Sequence, residues 1–587
     1  MTRKLVGKAC KHAFLSFHKF NRDHDLMTAK ITEYYDDNTE ESKLVMFEDF
    51  KRPFYVVLPK YRTFQDKRDY IEISKTKKFM SNQARLAYNI SKVLYGRPDP
   101  RATLEDMKNS QYLFGCQETP PVILKQFFYD KYPDAQNKAS YSIAAYDIET
   151  DIVEDGIGDP NMASVTMDDK VYWCGVKSFF PDKDPKVILK KLKEAEEKYL
   201  DQEYLKKYNI NIVYELADTP AECIVNNIKA FHRFKPDYIV SWNAVFDMEQ
   251  SLLALEKGGY DPEKVFSDPK VPDCYKSFDF YKGREFKRKV DGTKTSLEPQ
   301  ERFPVLRATA TWQWFDGMSF YAISRTAKGK KDSYSLQFTA KAEKVPGKLY
   351  TEEGSHLLEG SADWHKYMQK HHPYLYAMYN IQDNFVIEIL NRQTQDYSLA
   401  LPSLITSSEL TSYQSQPSLI SDELSFIALK HGFVWGTVGN VKKDKWKDLK
   451  PDLRDWIALL HTEMCEDNGK AIYAGLPSWK SRAHGSTNDV DIIGSYPHVG
   501  LALNVSNRST RLEVCRIEGL DRLKFRELGV NFASSPIANA TSLANTMFGL
   551  PQIGDMKEFY TSVVLPALNG EKSKEETKVE TKEKIKA

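Results

Sequence analysis

Segment 142–150 constrains this chain more than any other. Ser142-Ile143-Ala144-Ala145 is a short apolar run, and Tyr146-Asp147-Ile148-Glu149-Thr150 follows it without a break. A run of that kind predicts a buried strand whose end turns acidic. Strand side chains alternate faces with a period of two, so Asp147 and Glu149 project from one face and can share a ligand. Two carboxylates side by side repel unless a cation or a shared proton joins them. Oxygen ligands of this hardness suit Mg²⁺ or Mn²⁺ rather than zinc. D-x-E alone also fits an ordinary strand end in so acidic a chain, so the remaining sequence has to supply partners.

At 587 residues the chain is long enough for three or four domains with substantial cores. Its 83 Lys and Arg balance 82 Asp and Glu, so no global basic charge points to nucleic acid and any basic path must be local. Seven cysteines, Cys10, Cys116, Cys174, Cys223, Cys274, Cys465 and Cys515, are scattered without C-x-x-C spacing. That pattern speaks against zinc ribbons and disulfide frameworks and for a reducing compartment. No apolar run follows the basic N-terminus, and no stretch reaches membrane-spanning length. The expectation is a soluble, intracellular protein with no membrane partner.

Residues 1–140 mix short β-like runs such as Phe54-Tyr55-Val56-Val57-Leu58 with charged turns, and 82–95 has helical spacing. His12, His18 and His24 are irregularly spaced with apolar residues between them, which suits solvated or core histidines better than a metal site. From 141 to 395 strand-like and helix-like segments alternate, as an α/β layer requires. The Lys/Glu-rich stretch 187–204 predicts a helix with a solvated, i,i+4-paired face. The basic run from Lys282 to Lys289 suits a phosphate contact or a plain basic loop equally. A Ser-, Thr- and Tyr-rich shift at 407–413 marks a junction, and the Lys/Glu/Thr-rich stretch 571–587 is too polar to bury anything.

Two further pieces carry chemistry. Tyr238-Ile239-Val240-Ser241-Trp242-Asn243 reads as a buried strand running out into a helix, which places Asp247 in the helix's first turn, where the dipole favours a carboxylate. Tyr379-Asn380-Ile381-Gln382-Asp383 lies inside a helical stretch, and residues four apart share a helix face, so Tyr379 and Asp383 point the same way. Taken singly, each piece also suits an ordinary helix.

Together, D-x-E on a strand, N-x-x-F-D at a strand-to-helix junction and Y-x-x-x-D on a late helix resemble the three motifs of the DEDD-type 3′→5′ exonucleases. The resemblance implies an RNase H-like domain in which Asp147, Glu149, Asp247 and Asp383 hold two Mg²⁺ or Mn²⁺ ions. One ion would activate water and the other stabilise the leaving 3′ oxygen. It further implies that Tyr379 orients the attacking water and that Asn243 contacts the DNA. The middle motif has one residue fewer between Asn and Asp than is usual in cellular and T-even phage family B polymerases. Bacterial proofreading subunits and protein-primed polymerases share the shorter spacing.

Farther on, Ile472-Tyr473-Ala474-Gly475 resembles the Y-x-G-G/A element that joins exonuclease to polymerase domains in family B. Asp491-Ile492-Ile493-Gly494-Ser495-Tyr496-Pro497 resembles motif A of the family B palm, D-x-x-S-x-Y-P-S. That likeness implies a catalytic, metal-binding Asp491, with Ile492, Ile493, Gly494, Ser495 and Tyr496 lining the nucleotide site. Gly494 replaces the usual Ser and His498 the final Ser, so the match is incomplete. Neither a K-x-x-x-N-x-x-Y-G finger helix nor a Y-x-D-T-D hairpin follows, although nucleotidyl transfer needs carboxylates from both palm strands.

The implied fold is α/β multidomain. It comprises a mixed α+β N-terminal domain (1–140), an RNase H-like DEDD exonuclease domain (141–395), a junction returning to the N-terminal domain (396–440), a partial polymerase palm with motif A (441–570) and a polar disordered tail (571–587). The implied function is the proofreading exonuclease and N-terminal portion of a split, bacteriophage-like family B DNA polymerase. Its partners are then DNA, as a single-stranded 3′ end and as primer-template, a second polypeptide with the fingers, second catalytic Asp and thumb, and a sliding clamp. The implied location is the cytoplasm of an infected host cell. Two other expectations stay open: a stand-alone DEDD exonuclease with a relic palm, favoured by Gly494 and His498, and a non-catalytic DNA-binding scaffold of the replisome.

Overall fold

The structure, a computed structural model, describes residues 3–64, 67–137, 141–153, 156–288, 293–325, 331–401 and 416–436, and farther on 456–462, 510–516, 552–554, 558, 561–562 and 565–568. The chain divides into two compact units, Met1–Gly439 and Asn440–Ala587. Among the described residues no helix is long and apolar enough to cross a membrane.

The first unit opens with an antiparallel meander of β1 (Leu5–Phe17), β2 (Asp25–Tyr35) and β3 (Glu40–Glu48). Strand alternation sends Met27, Ala29 and Ile31 of β2 to one face, where Leu124 and Phe128 of the helix Pro120–Lys131 cover them. Next come β4 (Arg52–Val57), β5 (Tyr70–Glu72), β6 (Thr76–Ser81) and β7 (Leu113–Phe114), with β4 paired antiparallel to both β6 and β7. The three histidines go separate ways. His12 is buried with Nε2 2.5 Å from the Thr311 carbonyl, His18 Nδ1 accepts from the Phe20 and Asn21 amides, and His24 Nδ1 lies 2.7 Å from Asp49 Oδ2.

An eight-stranded mixed sheet follows. Its strands are β8 (Ile143–Val153), β9 (Gly156–Met167), β10 (Lys170–Val176), β11 (Asn211–Ala217), β12 (Tyr238–Ser241) and β13 (Phe278–Tyr281). After a two-stranded ribbon of β14 (Phe286–Arg288) and β15 (Lys294–Ser296), which takes up part of the basic run at 282–289, β16 (Val305–Ala308) and β17 (Gln313–Asp316) complete it. The order is β11-β10-β9-β8-β12-β17-β16-β13. β8, β9 and β10 are successively antiparallel, whereas β12 runs parallel to β8 and β17 parallel to β12.

Helices cover both faces. On one, the helices Pro220–Phe234 and Ala244–Lys257 bury Tyr146 and Ile148 of β8 with Phe231, Met248, Leu255, Trp312 and Trp314. On the other, the helices Pro185–Tyr199 and Pro373–Thr394 pack Ile188, Leu192, Tyr376 and Phe385 against Trp173 and Met162. The helix expected over 187–204 breaks at Leu200, which is extended. Asp201 then accepts from the Glu203 and Tyr204 amides and caps a separate helix, Gln202–Lys207.

Beyond this sheet the helix Gln416–Lys430 leads to β18 (Phe433–Trp435), which pairs antiparallel with β5 and so returns the chain to the N-terminal sheets. In the second unit β19 (Trp456–Thr462) pairs antiparallel with β20 (Thr510–Arg516), and β20 parallel with β21 (Gln552–Gly554). Asp491, Ile492, Ile493, Gly494, Ser495 and Tyr496, the element at 472–475 and the tail 571–587 lie outside the described residues.

Candidate metal centre

The alternation of β8 that buries Tyr146 and Ile148 on one face leaves Asp147 and Glu149 for the other, where the helix Pro373–Thr394 crosses. Tyr376, Asn380 and Asn384 of that helix follow one another at i,i+4 and fasten it to the sheet. The Tyr376 hydroxyl donates to Glu149 Oε2 at 2.5 Å, and Asn380 Nδ2 donates to Asp147 Oδ2 at 2.7 Å. Asn384 Nδ2 donates to the carbonyl and the hydroxyl of Ser164, the β9 residue opposite Asp147, each at 2.9 Å. This register carries Asp383 over the strand. Asp147, Glu149 and Asp383 each offer a carboxylate oxygen within 4.8 Å of the other two, with Asp383 buried and the β8 pair partly open.

Asp247 occupies the first turn of the helix Ala244–Lys257 but is not within that spacing of all three. The turn that delivers it is held by Asp316 at the end of β17. Asp316 Oδ1 accepts from the amides of Asn243 and Ala244 at 2.9 and 3.0 Å, while Oδ2 accepts from the Ser319 amide and hydroxyl. Asn243 is thereby held at φ 71°, a left-handed conformation that Asn tolerates better than most residues, and its side chain is exposed.

The charges are out of balance. Burial, then Asp383, Glu149 and Asp247, push the Asp147 carboxyl well above its usual range, and burial with Asp383 pushes Glu149 up to about 7. Burial also raises Asp383, and burial, Asp316 and Glu149 raise Asp247. Like charges near 5 Å apart repel by about 3 kcal/mol at an effective dielectric of about 20, worth about two pKa units. One ammonium opposes this. Lys348 Nζ donates to Asp383 Oδ2 at 2.5 Å and to the Tyr379 hydroxyl at 2.9 Å. Burial works against its charge, yet Asp383, Asp147 and Glu149 outweigh burial and hold it above its ordinary value. Gln337 steadies its backbone by accepting the Lys348 amide on Oε1 at 2.9 Å.

Among the described residues a single Lys stands against four carboxylates and does not neutralise them. Asp383 Oδ1 and Asp247 Oδ2 are buried and have no hydrogen-bond partner among the described residues. An all-oxygen, anionic donor set with orphaned oxygens fits a hard divalent cation. The trio Asp147, Glu149 and Asp383 can therefore hold a metal ion.

Sequence spacing alone brings together Asp147 with Glu149 and Tyr379 with Asp383. It missed Tyr376 and Asn380, although both stand at helical spacing from the residues it found. Lys348 and Asp316 carried no local signal, since the tertiary fold delivers them from other segments. Compared with known proteins, the sequence matches no family model and no curated protein.

Proposed function

We propose that the chain is a divalent-metal-dependent 3′→5′ DNA exonuclease of the DEDD type, forming the proofreading portion of a split, family B-like DNA polymerase. The observation that carries the reading is the convergence of the strand pair Asp147 and Glu149 with the helix pair Tyr379 and Asp383, because separate sequence motifs meet at one acidic site. The strand arrangement supports it. Three antiparallel strands, β8 to β10, are extended on the β8 side by parallel β12 and β17, an order compatible with an RNase H-like core. The polymerase half of the reading rests on the sequence around Asp491.

In this reading Asp147, Glu149 and Asp383 bind metal directly, and Asp247 completes the set from the helix Ala244–Lys257. Bound Mg²⁺ or Mn²⁺ supplies an activated water and charge stabilisation at the leaving 3′ oxygen. Tyr379 orients the water through its hydroxyl, and Asn380 keeps Asp147 aimed by holding its Oδ2. The test is trimming of a 5′-labelled single-stranded oligonucleotide by the purified chain. Mg²⁺ or Mn²⁺ should support shortening from the 3′ end, and Asp147→Ala should slow it by about 1,000-fold or more, roughly 4 kcal/mol of barrier, with the circular dichroism spectrum unchanged. Full activity in EDTA, or in Asp147→Ala, overturns the assignment.

A further inference from the structure

The helix Ala362–His371 contributes no residue to the acidic trio, yet two of its side chains, one turn apart, connect to the strand that carries Glu149, His365 through Tyr376 and Gln369 directly. His365 Nδ1 lies 2.7 Å from the Tyr376 hydroxyl oxygen, the same oxygen that donates to Glu149 Oε2 at 2.5 Å. Gln369 Nε2 donates to the Thr150 carbonyl at 2.8 Å, and its Oε1 accepts from the Ile152 amide at 3.3 Å. The β8–β9 register shifts just past Glu149, between Glu149 and Thr150 and again before Ile152. Gln369 takes up the backbone groups that this irregularity frees from the ladder.

We propose that His365 and Tyr376 are positioning residues for metal binding: the pair fixes Glu149 so that Oε2 is occupied and Oε1 is presented to the cation. This rests on the metal-dependent reading of the site. The direction of the chain follows from proton counting. A metal-bound Glu149 is a carboxylate and can only accept, and Tyr376 has one hydroxyl proton, which must therefore point to Glu149. His365 must then supply the Nδ1–H that the tyrosine oxygen accepts. Burial, and then Lys348, push its imidazole down to about 4, so the neutral ring is available for that role. Tyr376 is fully buried and stacks on Tyr379 with ring planes 9° apart, so its ring has no room to turn away. Removing the hydroxyl leaves Glu149 Oε2 without its donor and the carboxylate free to rotate.

Losing an outer partner of a metal-bound carboxylate typically costs about 10- to 100-fold in metal affinity. The experiment is Mn²⁺ binding to the full chain followed by electron paramagnetic resonance, with oligonucleotide trimming and metal-free melting temperature measured in parallel. Tyr376→Phe and His365→Ala should weaken Mn²⁺ binding by about 10- to 100-fold, while trimming at saturating Mn²⁺ recovers to near the wild-type rate. His365→Asn, which places an amide donor close to the Nδ1 position, should regain much of the lost affinity. Should His365→Ala fail to fold, Tyr376→Phe and His365→Asn still decide the question. Unchanged Mn²⁺ affinity in Tyr376→Phe, with only the metal-free melting temperature lowered, overturns the positioning role and leaves metal dependence standing. A wild-type chain that binds no Mn²⁺ overturns the metal reading itself, and positioning falls with it.

Discussion

Asp237, one residue ahead of β12, and Asp147, on the neighbouring β8, are both acids largely withdrawn from water, yet their surroundings are opposite in kind. Around Asp237 the donors exceed the acid. Lys30 Nζ lies 2.8 Å and Lys11 Nζ 3.9 Å from its carboxylate, and Ser142 donates both its amide and its hydroxyl at 2.8 and 3.0 Å. Burial opposes the charge of Asp237, but Lys30 and Lys11 outweigh it and bring the carboxyl below its usual range. Lys30 remains the strained partner, since burial lowers its ammonium even beside Asp237. Around Asp147 the acids exceed the donors, and Asp147, Glu149 and Asp383 are all displaced upward. A cluster whose charge is balanced by its own lysines fastens β2 to the strand layer behind it. A cluster with surplus carboxylate is relieved either by a shared proton or by a cation.

The sharpest way to break this contrast is to remove each acid in turn and measure urea unfolding without metal. Asp237→Ala leaves the Lys30 ammonium buried without its carboxylate and should cost about 3–5 kcal/mol, the usual penalty for halving a buried pair. Asp147→Asn removes one of several mutually repelling carboxylates and should leave stability unchanged or raise it. Trimming per folded molecule should show the reverse, retained in Asp237→Ala and lost in Asp147→Asn. If both substitutions destabilise equally, the acidic trio is a structural lock as well and the distinction fails.

How much of this could be read beforehand differs between the two clusters for a physical reason. The site's strand pair was legible because period-two alternation acts within a few residues, and the Tyr379–Asp383 pair because i,i+4 spacing acts within one helical turn. The Asp237 lock was not, since Lys30 and Lys11 come from a sheet some two hundred residues earlier and no spacing rule connects them. The same holds for Lys348, which reaches Asp383 from 35 residues earlier in the chain. Tyr376 and Asn380 were within reach of the helical rule but carried no charge to draw attention. The break at Leu200 went unread because the Lys/Glu pattern continues through it while the Asp201 cap ends it.

A second contrast concerns protons. Glu149 has a metal-free value of about 7 against a usual one of 4.5, so its contribution to metal-free stability is fully present below about 4.5 and lost as pH rises to about 7. Metal binding must displace that proton, and any held by Asp147, so metal affinity moves the other way and strengthens as pH rises. Mn²⁺ binding measured calorimetrically should weaken by about tenfold per pH unit for each displaced proton below pH 7. Above about pH 7.5 the contribution from Glu149 should level off. An affinity that is flat between pH 5.5 and 7.5 would show that the carboxylates are already ionised and that Lys348 alone balances them.

The smallest expected effect separates the water from the metal. Tyr379 offers its hydroxyl oxygen to Lys348 Nζ at 2.9 Å, while Lys348 keeps its stronger partner in Asp383. Tyr379→Phe therefore removes the hydroxyl proposed to orient the water and leaves every carboxylate, and the ammonium that steadies them, in place. The trimming rate at saturating metal should fall by about tenfold, or roughly 1.4 kcal/mol of barrier, with Mn²⁺ affinity within about twofold of wild type. Tyr376→Phe should show the opposite split, with affinity lost and the saturated rate kept, although the two rings are stacked neighbours on one helix. That crossed pattern tests whether neighbouring tyrosines divide the work, one facing the water and the other facing Glu149. If Tyr379→Phe weakens Mn²⁺ binding as Tyr376→Phe does, both hydroxyls act through the ligand set, and the water must be oriented by another group.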